Sequence, residues 1–340
     1  MRFGVFDHVD DSGLPPAEHY AARLRIVEAL DALRFDSYHV AEHHGTPLGL
    51  APSPNVYLAA VSQRTRRLKF GPMVYVAALY HPLRLAEEIC MLDHMSGGRL
   101  QIGLGRGAVW IEHEMYGIER ARVPQRYEEV RDALLVALTS SFLDFRGEHF
   151  EFRHVEMTMR PLQQPHPPLW YGIANPDSTV WAAARDVNVI SLMPLVIAAP
   201  CLKRYREEWA KLGKPEDQVP ALGLLRHVVV ADTDAEAQRL AHRAFAKWRA
   251  SFTDLWERSQ VPFPLEHLLP RDWDGYVRQG LAIAGTPRTV REFLADQTLA
   301  AGANFVLGQM VFGAMHEDEA RHSLQLFSQE VIPALANSAS

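Results

Sequence analysis

Eight times along this chain a short apolar run is followed by a stretch of helical spacing, and that alternation constrains the fold more than any other feature. The apolar runs cover residues 2–6, 35–41, 68–76, 100–104, 168–173, 187–192, 222–231 and 303–307. They are too short for helices and rich in β-branched and large apolar side chains, which reads as buried strand. In 17–33, Leu24, Val27, Leu30 and Leu33 repeat at helical spacing, and further helices are expected over 55–63, 82–95, 124–138, 177–185, 198–212, 234–248 and 317–335. The one over 82–95 runs into Gly97-Gly98, a helix-ending signal. Strands separated by helices pair in parallel, because a parallel crossover needs that length of chain. Eight such units predict a (β/α)8 TIM barrel, one domain over residues 1–340. A doubly wound sheet is the runner-up.

Two stretches interrupt the rhythm. Residues 142–159 form a polar, hairpin-like insertion. Residues 251–284 are the longest irregular section and carry Phe252, Trp256, Phe263, Trp273 and Tyr276. An aromatic loop of that length reads as a lid over an apolar ligand, with a packed surface insertion as the alternative. A net charge of −6 gives no electrostatic reason to expect nucleic acid. Cys90 and Cys201 lie far apart without a CxxC pair, which fits a reduced compartment. No apolar run approaches membrane-spanning length, and residues 1–7 read as a strand rather than a targeting leader. A cytoplasmic protein is expected.

In a barrel, chemistry collects where strands end and loops begin. Asp7-His8 follows the first strand, Glu42-His43-His44 the second and Tyr80-His81-Pro82 the third. Two histidines beside a carboxylate are poor packing material, since their polar atoms need partners, but imidazole trades protons near neutrality. Gly103-Leu104-Gly105-Arg106-Gly107 follows the fourth strand and lacks the G-x-G-x-x-G spacing of a dinucleotide fold. Its glycines admit close approach of a ligand, and Arg106 offers a planar fork for phosphate; a glycine turn with a solvated arginine explains the same residues. After the fifth strand, Asn175 reads as an N-cap, Pro176 as the first helical residue and Ser178 as an added hydroxyl, together an anion site or simply a capped helix. None of the five lysines falls near the fourth strand's exit, and there is no H-E-x-x-H, so metal chemistry is not expected. Gly-x-Ser-x-Gly is absent too.

Taken in order, these pieces resemble the bacterial luciferase-like family of flavin-dependent monooxygenases over residues 1–335. The carriers are Ala41-Glu42-His43-His44, Thr65-Arg66-Arg67-Leu68-Lys69-Phe70-Gly71, His81-Pro82-Leu83-Arg84-Leu85-Ala86-Glu87 and Leu92-Asp93-His94-Met95-Ser96-Gly97-Gly98-Arg99. The glycine run 103–107, Gly285-Thr286-Pro287 and the closing 327–335 complete the pattern. The resemblance implies a (β/α)8 barrel using reduced FMN, since Glu-His-His is similar to the FMN-using branch rather than the deazaflavin one. His43 matches the catalytic histidine, Glu42 lies beside the flavin, Arg106 binds its phosphate, and Asn175 and Ser178 are phosphate contacts. Met73-Val74 falls where the family carries a non-prolyl cis peptide under the flavin ring.

Gly105 stands where luciferase itself has a reactive cysteine, and Ala174 where it has a flavin-site glutamate, so light emission is not implied. The implied reaction takes FMNH2 from a separate NAD(P)H:flavin reductase. Oxygen adds at the flavin C4a carbon, and the resulting peroxide oxygenates a small apolar aldehyde, ketone or long-chain compound, with His43 as acid/base. A homodimer is implied as well. The alternatives are an F420-type deazaflavin hydride-transfer enzyme on the same barrel and a non-catalytic flavin-binding protein.

Overall fold

The computed structural model describes residues 1–336; the last four residues of the expected domain lie outside the described residues. Its strands are β1 Arg2–Asp7, β2 Ser37–Val40, β3 Lys69–Pro72, β4 Tyr75–Val76, β5 Ile102–Gly105, β6 Phe142–Arg146, β7 Glu151–Glu156, β8 Leu169–Gly172, β9 Asn188–Ser191, β10 Leu222–Val230, β11 Ala282–Gly285 and β12 Phe305–Gln309. The helices are α1 Pro16–Ala32, α2 Pro54–Arg64, α3 Pro82–Ser96, α4 Trp110–Met115, α5 Val123–Thr139 and α6 Ser178–Ala183. They continue with α7 Leu195–Lys211, α8 Asp234–Arg258, α9 Trp273–Arg278, α10 Pro287–Ala301, α11 Glu317–Leu326 and α12 Ile332–Ala336.

The sheet runs β3-β2-β1-β12-β10-β9-β8-β5-β4, every pair parallel. It returns on itself where Phe70 bridges Leu100 and β4 pairs with β5. This is the expected barrel, not the doubly wound sheet. Phe6, Ala41, Met73, Trp170, Ile190, Phe305 and Leu307 pack inside it, and a larger apolar layer separates the strands from the surrounding helices. Alternate residues of one strand serve these two layers, because successive side chains leave opposite faces.

Local chemistry sets the boundaries. α1, α2, α3 and α10 each carry proline in the first turn, and α3 and α10 stop at left-handed Gly97 and Gly302. The expected third strand is split into β3 and β4 by a cis Met73–Val74 peptide. The insertion at 142–159 is a two-stranded antiparallel hairpin, β6–β7, outside the barrel.

The section 251–284 is less irregular than expected. α8 continues to Arg258, because Trp248, Phe252 and Trp256 recur every four residues along one face and keep it anchored; Trp248 and Phe252 stack at 4.8 Å. α9 and β11 occupy its second half, with β11 pairing to the end of β10 as a strand outside the eight expected. Residues 259–272 form a loop, and 279–281 a short turn between α9 and β11. The expected closing helix runs without a gap from α11 into α12 through a π-helical turn at Phe327–Val331. Among the described residues, no helix is long and apolar enough to cross a membrane.

Candidate active site

A cavity of about 380 Å³ opens at the C-terminal ends of the strands. β1 supplies Phe6, and His8 follows it; β2 is followed by Glu42 and His43; the β3–β4 break gives Met73 and Val74; β5 leads to Gly105, Arg106 and Gly107. Ala174 follows β8, while Phe252 and Trp256 of α8 and Phe263 to Leu265 of the 259–272 loop close the opposite side. The surface is mostly apolar with a few convergent polar groups, the usual character of a small-molecule site.

His43 Nδ1 lies 2.9 Å from Glu112 Oε1, which also accepts the backbone N–H of His44 at 3.0 Å. An oxygen already accepting one N–H takes the imidazole as a second donor, so Nδ1 carries the proton. Nε2 is left at the cavity wall as the nitrogen able to exchange a proton, with no partner among the described residues. The Glu112 side chain is fully buried and its other oxygen has no hydrogen-bond partner among the described residues.

His44 does different work. Its Nε2 pairs with Glu42 Oε1 at 2.9 Å and its Nδ1 meets the Tyr116 hydroxyl at 2.9 Å. Glu42 Oε2 accepts the Val76 N–H at 2.8 Å, so the carboxylate ties the end of β2 to β4. Glu42 is thereby fixed beside Met73–Val74, as an acceptor with both oxygens engaged.

His8 stacks against His43, ring centroids 5.6 Å apart and planes 24° from parallel. Its Nδ1 faces Trp248 Nε1 at 3.3 Å and Gln309 Nε2 at 3.0 Å. Burial first, and then His43, His227 and Arg23, hold its pKa well below the ordinary value, so the ring is neutral.

Around Arg106, two glycines are required by close approach. A Cβ on Gly103 would come within 2.4 Å of the Pro72 carbonyl oxygen, and one on Gly105 within 2.4 Å of Val74 Cγ2. These contacts let β5 close onto the cis peptide. His113 Nε2 donates to the Arg106 carbonyl at 2.8 Å and pins the loop, while the Arg106 guanidinium is exposed and makes no hydrogen bond or ion pair among the described residues.

Of the remaining expected groups, Asp7 is not in the cavity. Its carboxylate accepts from the Tyr38 hydroxyl at 2.9 Å and lies 3.7 Å from Arg23, a structural role. His81 is exposed and packs edge-on against Phe150 and Phe152. Asn175 does not cap a helix: α6 begins at Ser178, Asn175 Oδ1 accepts the Asp177 N–H at 2.9 Å, and Ser178 Oγ donates to the Asn175 carbonyl at 2.6 Å. The Asn175 bond reaches the same i+2 N–H that a cap would, but the helix starts later, at Ser178, with Asp177 in the N-cap position. Both residues adjoin Ala174 but lie outside the cavity lining. Trp273 and Tyr276 are buried with Phe245 and are not lid residues.

Comparison with known proteins decides the family. A family model described as luciferase-like monooxygenase matches residues 1–304. The chain belongs to the luciferase-like monooxygenase family. It is 40% identical over 332 residues to the uncharacterized protein y4wF of Sinorhizobium fredii, covering 98% of this chain and 96% of that one. It is 28% identical over 248 residues to the oxygenase component of the flavin-dependent trigonelline monooxygenase of Acinetobacter baylyi, covering 71% and 68%. Monooxygenase RslO1 of Streptomyces bottropensis superposes with a TM-score of 0.88 at 25% identity, covering 98% of this chain and all 100% of that one.

In this luciferase-like chain, sequence reading missed Glu112, Trp248 and Gln309. Glu112 sits on α4, a helix of six residues inside a segment with no assigned element. The crowding of Glu112, His113 and Glu114 was the signal available. Gln309 ends β12, where rim position alone marks a residue as a candidate.

Proposed function

We propose that this protein is an FMN-dependent monooxygenase that takes FMNH2 from a separate NAD(P)H:flavin reductase and, with O2, oxygenates a small apolar organic substrate. The observation that carries the reading is the His43–Glu112 pair, which leaves imidazole Nε2 unpartnered on the wall of a mostly apolar cavity. The residues present fit a flavin. Gly172 faces open space, with nothing within 4 Å of where a Cβ would stand. Arg106 offers an unengaged guanidinium at the rim for a phosphate, and Asn175 and Ser178 are the further phosphate contacts that the family resemblance implies. The Met73–Val74 wall gives the ring a flat apolar face.

Reduced FMN, when bound, supplies the electrons that activate O2, so that one oxygen atom reaches the substrate and the other leaves as water. His43 Nε2 holds or returns the proton that this transfer requires, and the Glu112 carboxylate fixes the tautomer and steadies the ring when it is charged. Glu42 holds the β2 and β4 ends together under the same wall. Phe252, Trp256 and Phe263 exclude water from the reacting groups. The Glu-His-His sequence favours FMN over a deazaflavin, and the family resemblance supports a homodimer.

The test is to supply either FMNH2 or reduced deazaflavin and follow oxygen uptake together with 18O2 incorporation into candidate ketones and aldehydes. Labelled product with FMNH2 alone is expected. Flavin-linked hydride transfer without oxygen uptake, with the deazaflavin only, would replace the proposal by the hydride-transfer reading; tight flavin binding with no turnover would replace it by a binding protein.

A further inference from the structure

The His8 ring is a second polar group built into the cavity, distinct from His43 in its protonation. An indole N–H can only donate, so the Trp248 contact at 3.3 Å makes His8 Nδ1 an acceptor, and the Gln309 amide, 3.0 Å away, donates to the same nitrogen. A neutral imidazole with an acceptor Nδ1 carries its proton on Nε2. That N–H has no partner among the described residues, on a side chain that lines the cavity and is 6% exposed. Facing the cavity rather than sealed in the core, this N–H is open to completion by a ligand.

The strand order places His8 across the barrel from the expected phosphate site. β1 lies beside β2 and β12, whereas Arg106 and Ala174 follow β5 and β8 on the opposite arc. His43 stands next to His8 on the near side, and Phe252 packs edge-on to the His8 ring at 6.4 Å. The apolar pocket around His8 therefore has one donor and, beside it, one base.

We infer that His8 Nε2–H is the hydrogen-bond donor that holds an acceptor oxygen of the apolar substrate, for which a ketone carbonyl is the probe. This rests on the monooxygenase reading for the identity of the ligand as substrate, but the binding event needs no flavin. Gln309 and Trp248 are positioning residues: by occupying Nδ1 they keep the proton on the nitrogen that serves the ligand.

The experiment is a tryptophan-fluorescence titration of the full-length protein without flavin, using two matched pairs, cyclooctanone with cyclooctane and 2-decanone with decane. The wild type is expected to bind at least one ketone about tenfold or more tightly than its hydrocarbon, since one made hydrogen bond in a buried site is of that order. His8→Phe should abolish the difference, and His8→Gln, which retains an N–H, should keep part of it, with FMN affinity unchanged in both. Equal binding of ketone and hydrocarbon by the wild type, or a preference that survives in His8→Phe, would overturn the inference. So would loss of FMN binding in His8→Gln, which would give His8 to the flavin. 15N NMR of histidine-labelled protein checks the tautomer independently of any variant: an Nδ1–H signal for His8 also overturns it. A protein that binds ketones through His8 but oxygenates no organic compound would refute the proposed function and leave His8 as the hydrogen-bond donor to the ligand.

Discussion

His43 and Glu112 meet at 2.9 Å, bringing a residue after β2 together with one on α4. The carboxylate fixes which nitrogen of the imidazole is basic, so the two act as one unit. Replacing His43 by Ala should lower turnover by roughly 10²–10⁴-fold, the range for removal of a general acid/base. Glu112→Gln keeps an oxygen for both N–H donors and removes the charge. It should leave the folded protein intact and reduce turnover by about tenfold or more. Coupled turnover of both variants, beside their thermal unfolding, checks this; a near-wild-type rate for His43→Ala removes the assignment.

Arg106 is assigned to phosphate, so its effect should depend on whether phosphate is there. Arg106→Ala is expected to weaken FMN binding by about 10- to 100-fold, the equivalent of a charged hydrogen bond or two. Riboflavin, which lacks the phosphate, should bind wild type and variant alike. Equal losses for FMN and riboflavin would place Arg106 under the ring or in the fold instead.

The two close glycines should differ in what they tolerate. A Cβ on Gly103 meets backbone, the Pro72 oxygen, whereas one on Gly105 meets the Val74 side chain. Gly103→Ala is therefore expected to destabilise the protein by about 1–3 kcal/mol with no simple rescue. Gly105→Ala should be relieved by Val74→Ala, which clears the obstructing methyl. Urea unfolding of the two singles and the double variant reads this directly.

Stability should fall on mild acidification. Burial lowers His39 and His227 from 6.5 to about 3 and His19 to about 4. These side chains stay neutral in the native state while the unfolded chain takes up protons below about pH 6.5. Each one therefore withdraws stability as pH falls from 6.5 toward 4, by about 1.4 kcal/mol per pH unit. Asp10 acts in the opposite sense: burial raises it to about 7, so the native state holds a proton that the unfolded chain releases above pH 3.8, and stability is lost as pH rises through that window. Asp10 thus cancels one histidine and the net effect remains acid lability. Urea unfolding at pH 7 and pH 5.5 should show it, and His227→Phe should flatten the slope by about one proton; a stability that rises on acidification would contradict these assignments.

The barrel was legible because its signal is repeated: each buried parallel strand is a continuous apolar run, and each helix shows its own period. β11 escaped because its sequence, Ala-Ile-Ala-Gly, is too small and too short to stand out beside the aromatics of 251–284. The same aromatics hid the end of α8, where Phe252 and Trp256 continue a helical stripe that begins with Trp248. At the site, Glu42, His43 and Arg106 could be found because strand exits are marked in the chain. Glu112 could not, since its importance lies in a contact with a residue 69 positions away. Asn175 was misread as a cap because the same side chain satisfies a turn and a helix start equally well, and only the backbone path decides between them.

The most direct test of the flavin chemistry is a single turnover. The anaerobic complex of the protein with FMNH2 is mixed with O2 and its near-ultraviolet absorbance followed by stopped flow. A species distinct from both reduced and oxidised FMN, outliving any seen with free flavin and decaying faster when an apolar ketone or aldehyde is present, is the predicted result. Reoxidation at the rate of free FMN, with no such species and no effect of the carbonyl compound, would contradict it.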